Sequence, residues 1–221
     1  MEKITFESIK KSPEVNVYIV EADKSLIARG FTEHSYAHVG KCVAVSEYIL
    51  TKMEYDAHEI ELAKIAAYMH DIGNVINRVG HAQNGAAMAF RILDKMGMPP
   101  EDVAKVITAI GNHDESSAYP VNAIAAAVIL GDKTDVRRTR VRKGAQLAED
   151  IHDRVNYAVE KSEVDVDTEL CEITLSLKID NTICSVMEYF EIFLDRMLLC
   201  CKAAEFFGYR FKLNINGTVL L

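Results

Sequence analysis

The sequence predicts a mainly α-helical domain over residues 1–159, a helical bundle, followed by a small α+β appendage over residues 160–221 in which one helix lies on an antiparallel sheet. Three observations predict it. From Pro13 to Val159 apolar side chains recur every three or four residues, the period of amphipathic helices. From Cys171 to Asp180 they alternate strictly with polar ones, the period of a half-buried strand. Near the C-terminus Asn216-Gly217 separates a second alternating run, Phe211, Leu213 and Ile215, from Thr218–Leu221, which is the pattern of a two-residue hairpin turn.

Taken in order, Pro13-Glu14 opens a first helix carrying Val15, Tyr18, Ile19, Ala22 and Leu26, and Gly30 ends it. Thr32 is the expected N-cap of a second helix reaching about Met53, with His34 and His38 four apart on one face. A third runs from about His58 to His70 and is apolar on most sides (Leu62, Ala63, Ile65, Ala66, Met69), which predicts a central position. Gly73-Asn74 breaks it, 75–81 is a loop, and a fourth helix starts near His81 or Ala82 with Ala86, Ala89, Phe90 and Leu93 inward. Pro99-Pro100-Glu101-Asp102 starts a fifth, which closes at Gly111-Asn112. A sixth, alanine-rich, spans Asn122 to Leu130, and a short one follows around Ile151 to Val159. The acidic stretch 160–170 is expected to be a connector. The last helix, about Ile183 to Phe207, is expected to bury Val186, Met187, Phe190, Leu194, Met197, Leu198 and Cys201 and all its methionines and phenylalanines, with Gly208 as C-cap.

The chain is long enough for one large domain or a domain with an appendage, and it has 49% hydrophobic residues for a core. Its net charge of −8 gives no overall attraction to nucleic acid or anionic membrane. No apolar run reaches membrane-spanning length, and the charged start, Met1 to Lys11, lacks the apolar core of a signal peptide. The expected location is the cytoplasm. The five cysteines form no CxxC pair and are expected to be buried thiols.

Six residues that ligate hard or borderline divalent metals fall at or beside predicted helix ends: His38, His70, Asp71, His81, His113 and Asp132. Ligands placed there can converge while the helix bodies pack behind them. His70 and Asp71 are adjacent, and on a regular helix they would diverge by about 100°. At a helix end, where the backbone changes course, both can reach inward. Taken alone, His70 is more often a satisfied core histidine, and His81 or His113 a surface loop residue. The adjacent carboxylate and the distant partners shift the balance to ligation.

The segments His38-Val39-Gly40-Lys41, Met69-His70-Asp71-Ile72-Gly73-Asn74, His81-Ala82-Gln83-Asn84, Ile110-Gly111-Asn112-His113 and Leu130-Gly131-Asp132-Lys133 resemble the HD-domain metal-dependent phosphohydrolases over roughly residues 30 to 145. The resemblance implies a first metal on His38, His70, Asp71 and Asp132. It implies a second on His81 and His113, as in the diiron dinucleoside-polyphosphate hydrolases of the family, with Asp71 bridging. The first histidine could be His34 or His38. Lys41 three residues after His38, with Val45 and Ile49 on the same face, favours His38 and leaves His34 at the mouth of the site.

The expected activity is metal-dependent hydrolysis of a phosphate ester or anhydride, a nucleotide foremost, with a metal-bound hydroxide as nucleophile. The metal identity stays open among iron, manganese, nickel, cobalt and zinc. His70, Asp71 and Lys133 are the expected catalytic residues, Lys133 by neutralising a substrate phosphate, with structural ion pairing equally open to it. Asn74, Arg78 and the run Arg137–Arg142 are weaker phosphate candidates, since a charge run is usually a solvated face. Asp114 and Glu115 read as a solvated turn slightly ahead of a supporting role beside His113. Two rival functions use the same ligands: oxidative chemistry at a diiron site, and a non-catalytic metal-bearing sensor whose C-terminal hairpin offers a sheet edge. The appendage is a reasonable place for a homodimer contact.

Overall fold

The computed structural model describes residues 4–145 and 147–221, so the first three residues of the charged start lie outside it. The helical part is α1 (Phe6–Lys10), α2 (Pro13–Ile27), α3 (Tyr36–Lys52), α4 (Ala57–Met69), α5 (His81–Met96), α6 (Pro100–Gly111), α7 (Ala123–Lys133) and α8 (Ile151–Ala158). The C-terminal part is β1 (Val159–Asp167), β2 (Glu172–Ile179), α9 (Val186–Phe206), β3 (Arg210–Ile215) and β4 (Thr218–Val219).

Helix α4 takes the central place its apolar surface predicts: every residue from Ala66 to Met69 is buried. Around it pack α3, α6 and α7. Helix α7 is buried along its whole length, including Asp132 and Lys133, because alanines and Gly131 let neighbours approach closely. A Cβ on Gly131 would sit 2.7 Å from the Cys42 carbonyl oxygen and 2.8 Å from Ser46 Oγ. A second core joins Val45, Ile49, Ala126, Ile129 and Leu130 of the bundle to the sheet and α9, so the C-terminal elements rest on the backs of α3 and α7.

Several expectations are corrected. Helix α1 lies in the start that carried no predicted element, and a Thr5/Ser8 capping box begins it. Helix α3 starts at Tyr36 with Ser35 as N-cap, not at Thr32. The preceding backbone is held out of the helix: the Glu33 amide donates to the Arg140 carbonyl at 2.8 Å, and Arg142 donates to the carbonyls of Phe31 and Thr32. Helix α7 continues to Lys133, three residues past Leu130, so Asp132 sits in its last turn.

The expected connector is strand β1. It pairs antiparallel with β2, and its acids alternate with the inward-leaning Val164 and Val166. The sheet, ordered β1-β2-β3-β4, is mixed rather than antiparallel, since β2 and β3 are parallel. Helix α9 is the crossover that returns the chain to the same end of the sheet, as a parallel pair requires. The Asn216-Gly217 hairpin is present with both residues at positive φ, and its return strand is only Thr218–Val219.

The buried face of α9 is Tyr189, Phe193, Met197, Cys200 and Ala204, rotated from the predicted stripe. Met187 is 76% exposed, and Leu194, Leu198 and Phe206 are exposed too. Phe90 on α5 likewise faces solvent. Cys171 is exposed and Cys201 half-buried, whereas Cys42, Cys184 and Cys200 are buried thiols as expected. No described helix is long and apolar enough to cross a membrane.

Candidate metal centre

The six singled-out residues converge. His38 comes from the first turn of α3, His70 caps α4, and Asp71 begins the 3-10 turn Ile72–Val75. His81 is the first residue of α5, His113 lies just past α6, and Asp132 is in the last turn of α7. The change from α4 to the 3-10 turn aims both His70 and Asp71 inward. Asn74 secures that turn by donating to the Asp71 carbonyl at 3.0 Å and to Asp71 Oδ1 at 2.8 Å. All six are buried.

The imidazoles share one device. His70 Nδ1 donates to the Ala67 carbonyl at 2.7 Å, His81 Nδ1 to Arg78 at 2.9 Å and His113 Nδ1 to Ile110 at 2.6 Å. His38 Nδ1 donates to Asp135 Oδ2 at 2.8 Å. Each outward bond fixes the proton on Nδ1 and leaves a lone pair on the inward Nε2. Those lone pairs face acceptors. His81 Nε2 and His113 Nε2 are 3.1 Å apart. His70 Nε2 is buried without a hydrogen-bond partner, with Asp71 Oδ2 at 3.4 Å and Asp132 Oδ1 at 3.9 Å. His38 Nε2 lies 3.3 Å from Asp132 Oδ1. Imidazole nitrogens and carboxylate oxygens gathered this closely in a buried place are the donor set that a divalent cation takes.

Asp71 divides its oxygens between two groups. Oδ2 faces His70 at 3.4 Å and His38 at 3.7 Å, while Oδ1 faces His81 at 3.5 Å and His113 at 3.8 Å. Two sets of donor atoms are close enough to share one ion each: His38, Cys42, His70 and Asp132, and His70, Asp71 and His113. Burial lowers His81 to about 4, so its Nε2 is unprotonated at neutral pH and faces Arg78 Nη1 at 3.3 Å.

His34 precedes α3, yet its ring centroid is 5.3 Å from that of His38. Its Nδ1 also bonds a backbone carbonyl, that of Thr32, at 2.7 Å. No carboxylate oxygen lies within ion-pair distance of its ring nitrogens among the described residues, whereas those of His38 have three. The geometry therefore favours His38 within the cluster and His34 at its edge.

Asp135 was not singled out from the sequence. It is fully buried, and besides His38 it takes Arg137 Nε at 2.7 Å. Arg140 donates to its carbonyl oxygen at 2.9 Å. The only sequence signal was its spacing of three after Asp132. The basic run thus serves structure: Arg137 and Arg140 hold Asp135, Arg142 holds Asp23, and Arg138 lies over the Tyr157 ring. Replacing Asp135 with alanine frees the His38 ring, and metal affinity is expected to fall about 10- to 100-fold in a chelator competition. Unchanged affinity would show that His38 needs no such support.

Of the roles open to Lys133, ion pairing is the one found. Its buried ammonium lies 2.6 Å from Asp132 Oδ2 and 3.1 Å from Glu115 Oε2. Glu115 in turn takes Arg196 Nε of α9 at 2.8 Å, so it is a bridge rather than a solvated turn residue. Burial raises the Glu115 carboxyl, but Lys133 and Arg196 outweigh that and hold it at about 2. A depressed folded-state pKa contributes stability that is present above the unfolded value near 4.5 and lost as pH falls through about 2. The Glu115→Gln variant is therefore expected to be less stable at pH 7 by on the order of 1–3 kcal/mol. The difference should close as pH falls through that window, as urea unfolding at stepped pH would show.

The family model for the HD domain matches residues 33–154, more than half the chain and all six converging residues. Over 186 residues the chain is 23% identical to the uncharacterized protein MJ1020 of Methanocaldococcus jannaschii, covering 73% of this chain and 71% of that protein. The crystal structure of a predicted HD superfamily hydrolase from an uncultured Thermotogales bacterium aligns with 25% identity and a TM-score of 0.45, over 56% of this chain and 67% of that one.

Proposed function

This chain belongs to the HD-domain family, and from that premise we propose that it is a metal-dependent phosphohydrolase cleaving a phosphate ester or anhydride, with nucleotides the first substrate class to screen. The observation that carries the proposal is the set of inward Nε2 lone pairs around Asp71 and Asp132. His38, His70, Asp71 and Asp132 would hold one divalent ion, and His81 and His113 a second, with Asp71 between them. Metal ions held there would supply a water nucleophile acidified toward neutrality and an electrophile for a phosphoryl oxygen.

The chain's own residues do the rest. Asp135 and the backbone carbonyls of Ala67, Arg78 and Ile110 hold the imidazole planes. Lys133 keeps Asp132 ionised and oriented. Charge on a bound phosphoryl group is met by Arg78, whose Nη1 is 3.3 Å from His81 Nε2 and 3.9 Å from Asp71 Oδ1. Lys133 is already occupied by two carboxylates and acts through Asp132.

The test is metal content of protein purified without chelator, alongside hydrolysis of a generic phosphate ester. About two equivalents with turnover supports the dinuclear reading, and about one would move His81 and His113 to substrate contacts. Metal without turnover would overturn hydrolysis in favour of a sensor or an oxidative enzyme.

A further inference from the structure

Beside the metal centre lies a chamber of about 370 Å³, within the size range of small-molecule sites. Among its lining residues are Arg29, Arg78, Arg140 and Arg196, set against the two carboxylates Asp150 and Asp153. A local excess of positive charge is unexpected in a chain of net charge −8. The chamber shares His34 and Arg78 with the edge of the metal centre, so the two are continuous.

Not all of these arginines are used up by the fold. Arg140 is, through its bonds to Asp135 and Glu33. Arg29 bonds only the Asn77 amide oxygen, at 2.9 Å, and no carboxylate lies within ion-pair distance of it among the described residues. Arg196 gives Nε to Glu115 and lays its guanidinium 4.5 Å from the Phe193 ring centroid. Phe31 carries Arg29 and Arg78, each 5.7 Å from its centroid. The two phenylalanines therefore serve as platforms that hold guanidinium groups over apolar faces. Such groups read planar or tetrahedral anions rather than a base. Asp150 also caps α8, accepting from the His152 and Asp153 amides.

Arg29, Phe31, Phe193 and Arg196 all lie outside residues 33–154, the part that matches the family. The flanking segments thus complete a chamber whose remaining lining comes from the matched part, with α9 supplying a wall. We infer that it is a second anion subsite: the substrate carries, besides the phosphoryl group at the His/Asp centre, a distal phosphate or carboxylate held by Arg29 and Arg196, with Arg78 between the two. The inference rests on the phosphohydrolase reading for what occupies the metal centre.

The test is calorimetric binding to the metal-loaded protein of methylphosphonate, of alkane bisphosphonates with spacers of increasing length, and of the matching phosphonocarboxylates. At the best spacer the second anion is expected to tighten binding at least about tenfold, as a charge-assisted contact should. Whether the bisphosphonate or the phosphonocarboxylate gains more identifies the distal group. In Arg29→Gln, and separately in Arg196→Gln, the gain within each variant is expected to shrink below about threefold. The ratio is insensitive to any general weakening of the centre. Equal affinity for mono- and bis-anionic probes at every spacer, or a gain that survives in both variants, overturns the subsite. Turnover of a generic ester on the same samples separates the two readings: no turnover with the gain intact refutes hydrolysis alone, and turnover without a gain refutes the subsite alone.

Discussion

An Asp71→Asn variant is expected to lose its bound metal at both halves of the centre at once, with affinity falling more than the about 100-fold typical of removing a supporting residue. The reason is the division of its oxygens. Oδ2 lies 3.4 Å from His70 Nε2 and Oδ1 lies 3.5 Å from His81 Nε2, so one carboxylate serves two groups of imidazoles. Asparagine has the same shape but brings no charge and presents an amide N–H₂ to one of those groups. Hydrolysis is expected to fall with the metal. The fold is expected to survive, because asparagine keeps the volume and can keep an oxygen for the Asn74 amide, although the attraction to Arg78 at 3.9 Å is lost. Thermal unfolding in chelator should therefore stay cooperative, at a somewhat lower temperature than the wild type, while metal analysis shows a far larger loss. His113→Ala, which removes one donor from the Oδ1 side only, is expected to lose about half the metal of a two-ion centre. Full occupancy in Asp71→Asn would end the assignment of these residues as ligands.

The six converging residues were legible because their signals are local. A His-Asp pair after an apolar helix, and single histidines or aspartates at other helix ends, are visible without knowing the packing. Asp135 was not legible, because its partner His38 is 97 residues away and the two meet only when α7 lies along α3. The arginine-lined chamber was hidden for the same reason: Arg29, Arg78 and Arg196 are scattered single residues until α9 closes over the bundle. Strand β1 was obscured by its acids, which set the composition of a stretch whose alternation of Ser162, Val164 and Val166 was present all along. The parallel pair was legible in principle, since a strand, a long helix and a strand make a crossover. The hairpin at the end drew the reading toward an antiparallel sheet. On α9 apolar residues occupy nearly every side, so periodicity could not select which stripe faces the sheet.

Gly73 carries the second large effect. From the sequence it reads as a helix breaker, a role alanine would fill poorly but tolerably. The structure assigns it a different necessity, since its φ is not positive and what it lacks is room. A Cβ there would lie 2.0 Å from the His81 carbonyl oxygen and 2.4 Å from the Gly85 amide nitrogen. Both are backbone atoms of the first turns of α5, so relief requires moving either α5, which carries His81, or the turn that carries His70 and Asp71. Gly73→Ala is expected to cost about 3 kcal/mol or more, beyond the usual range for overpacking, and to separate the two halves of the centre. Two other glycines grade the effect. A Cβ on Gly85 would meet the His70 carbonyl at 3.2 Å, a contact that small shifts relieve, so Gly85→Ala should cost about 1 kcal/mol. Gly40, two residues from His38 on α3, has nothing within 4 Å of its Cβ position. There alanine should stabilise by about 0.5–1 kcal/mol through helix propensity alone. Urea unfolding of the three variants in chelator, paired with metal content, is expected to rank them Gly73, Gly85, Gly40 in both measurements. A Gly73→Ala protein as stable as the wild type and fully loaded would mean that α5 and the His-Asp turn are not pressed together as described, and the placement of His81 beside Asp71 would fall with it.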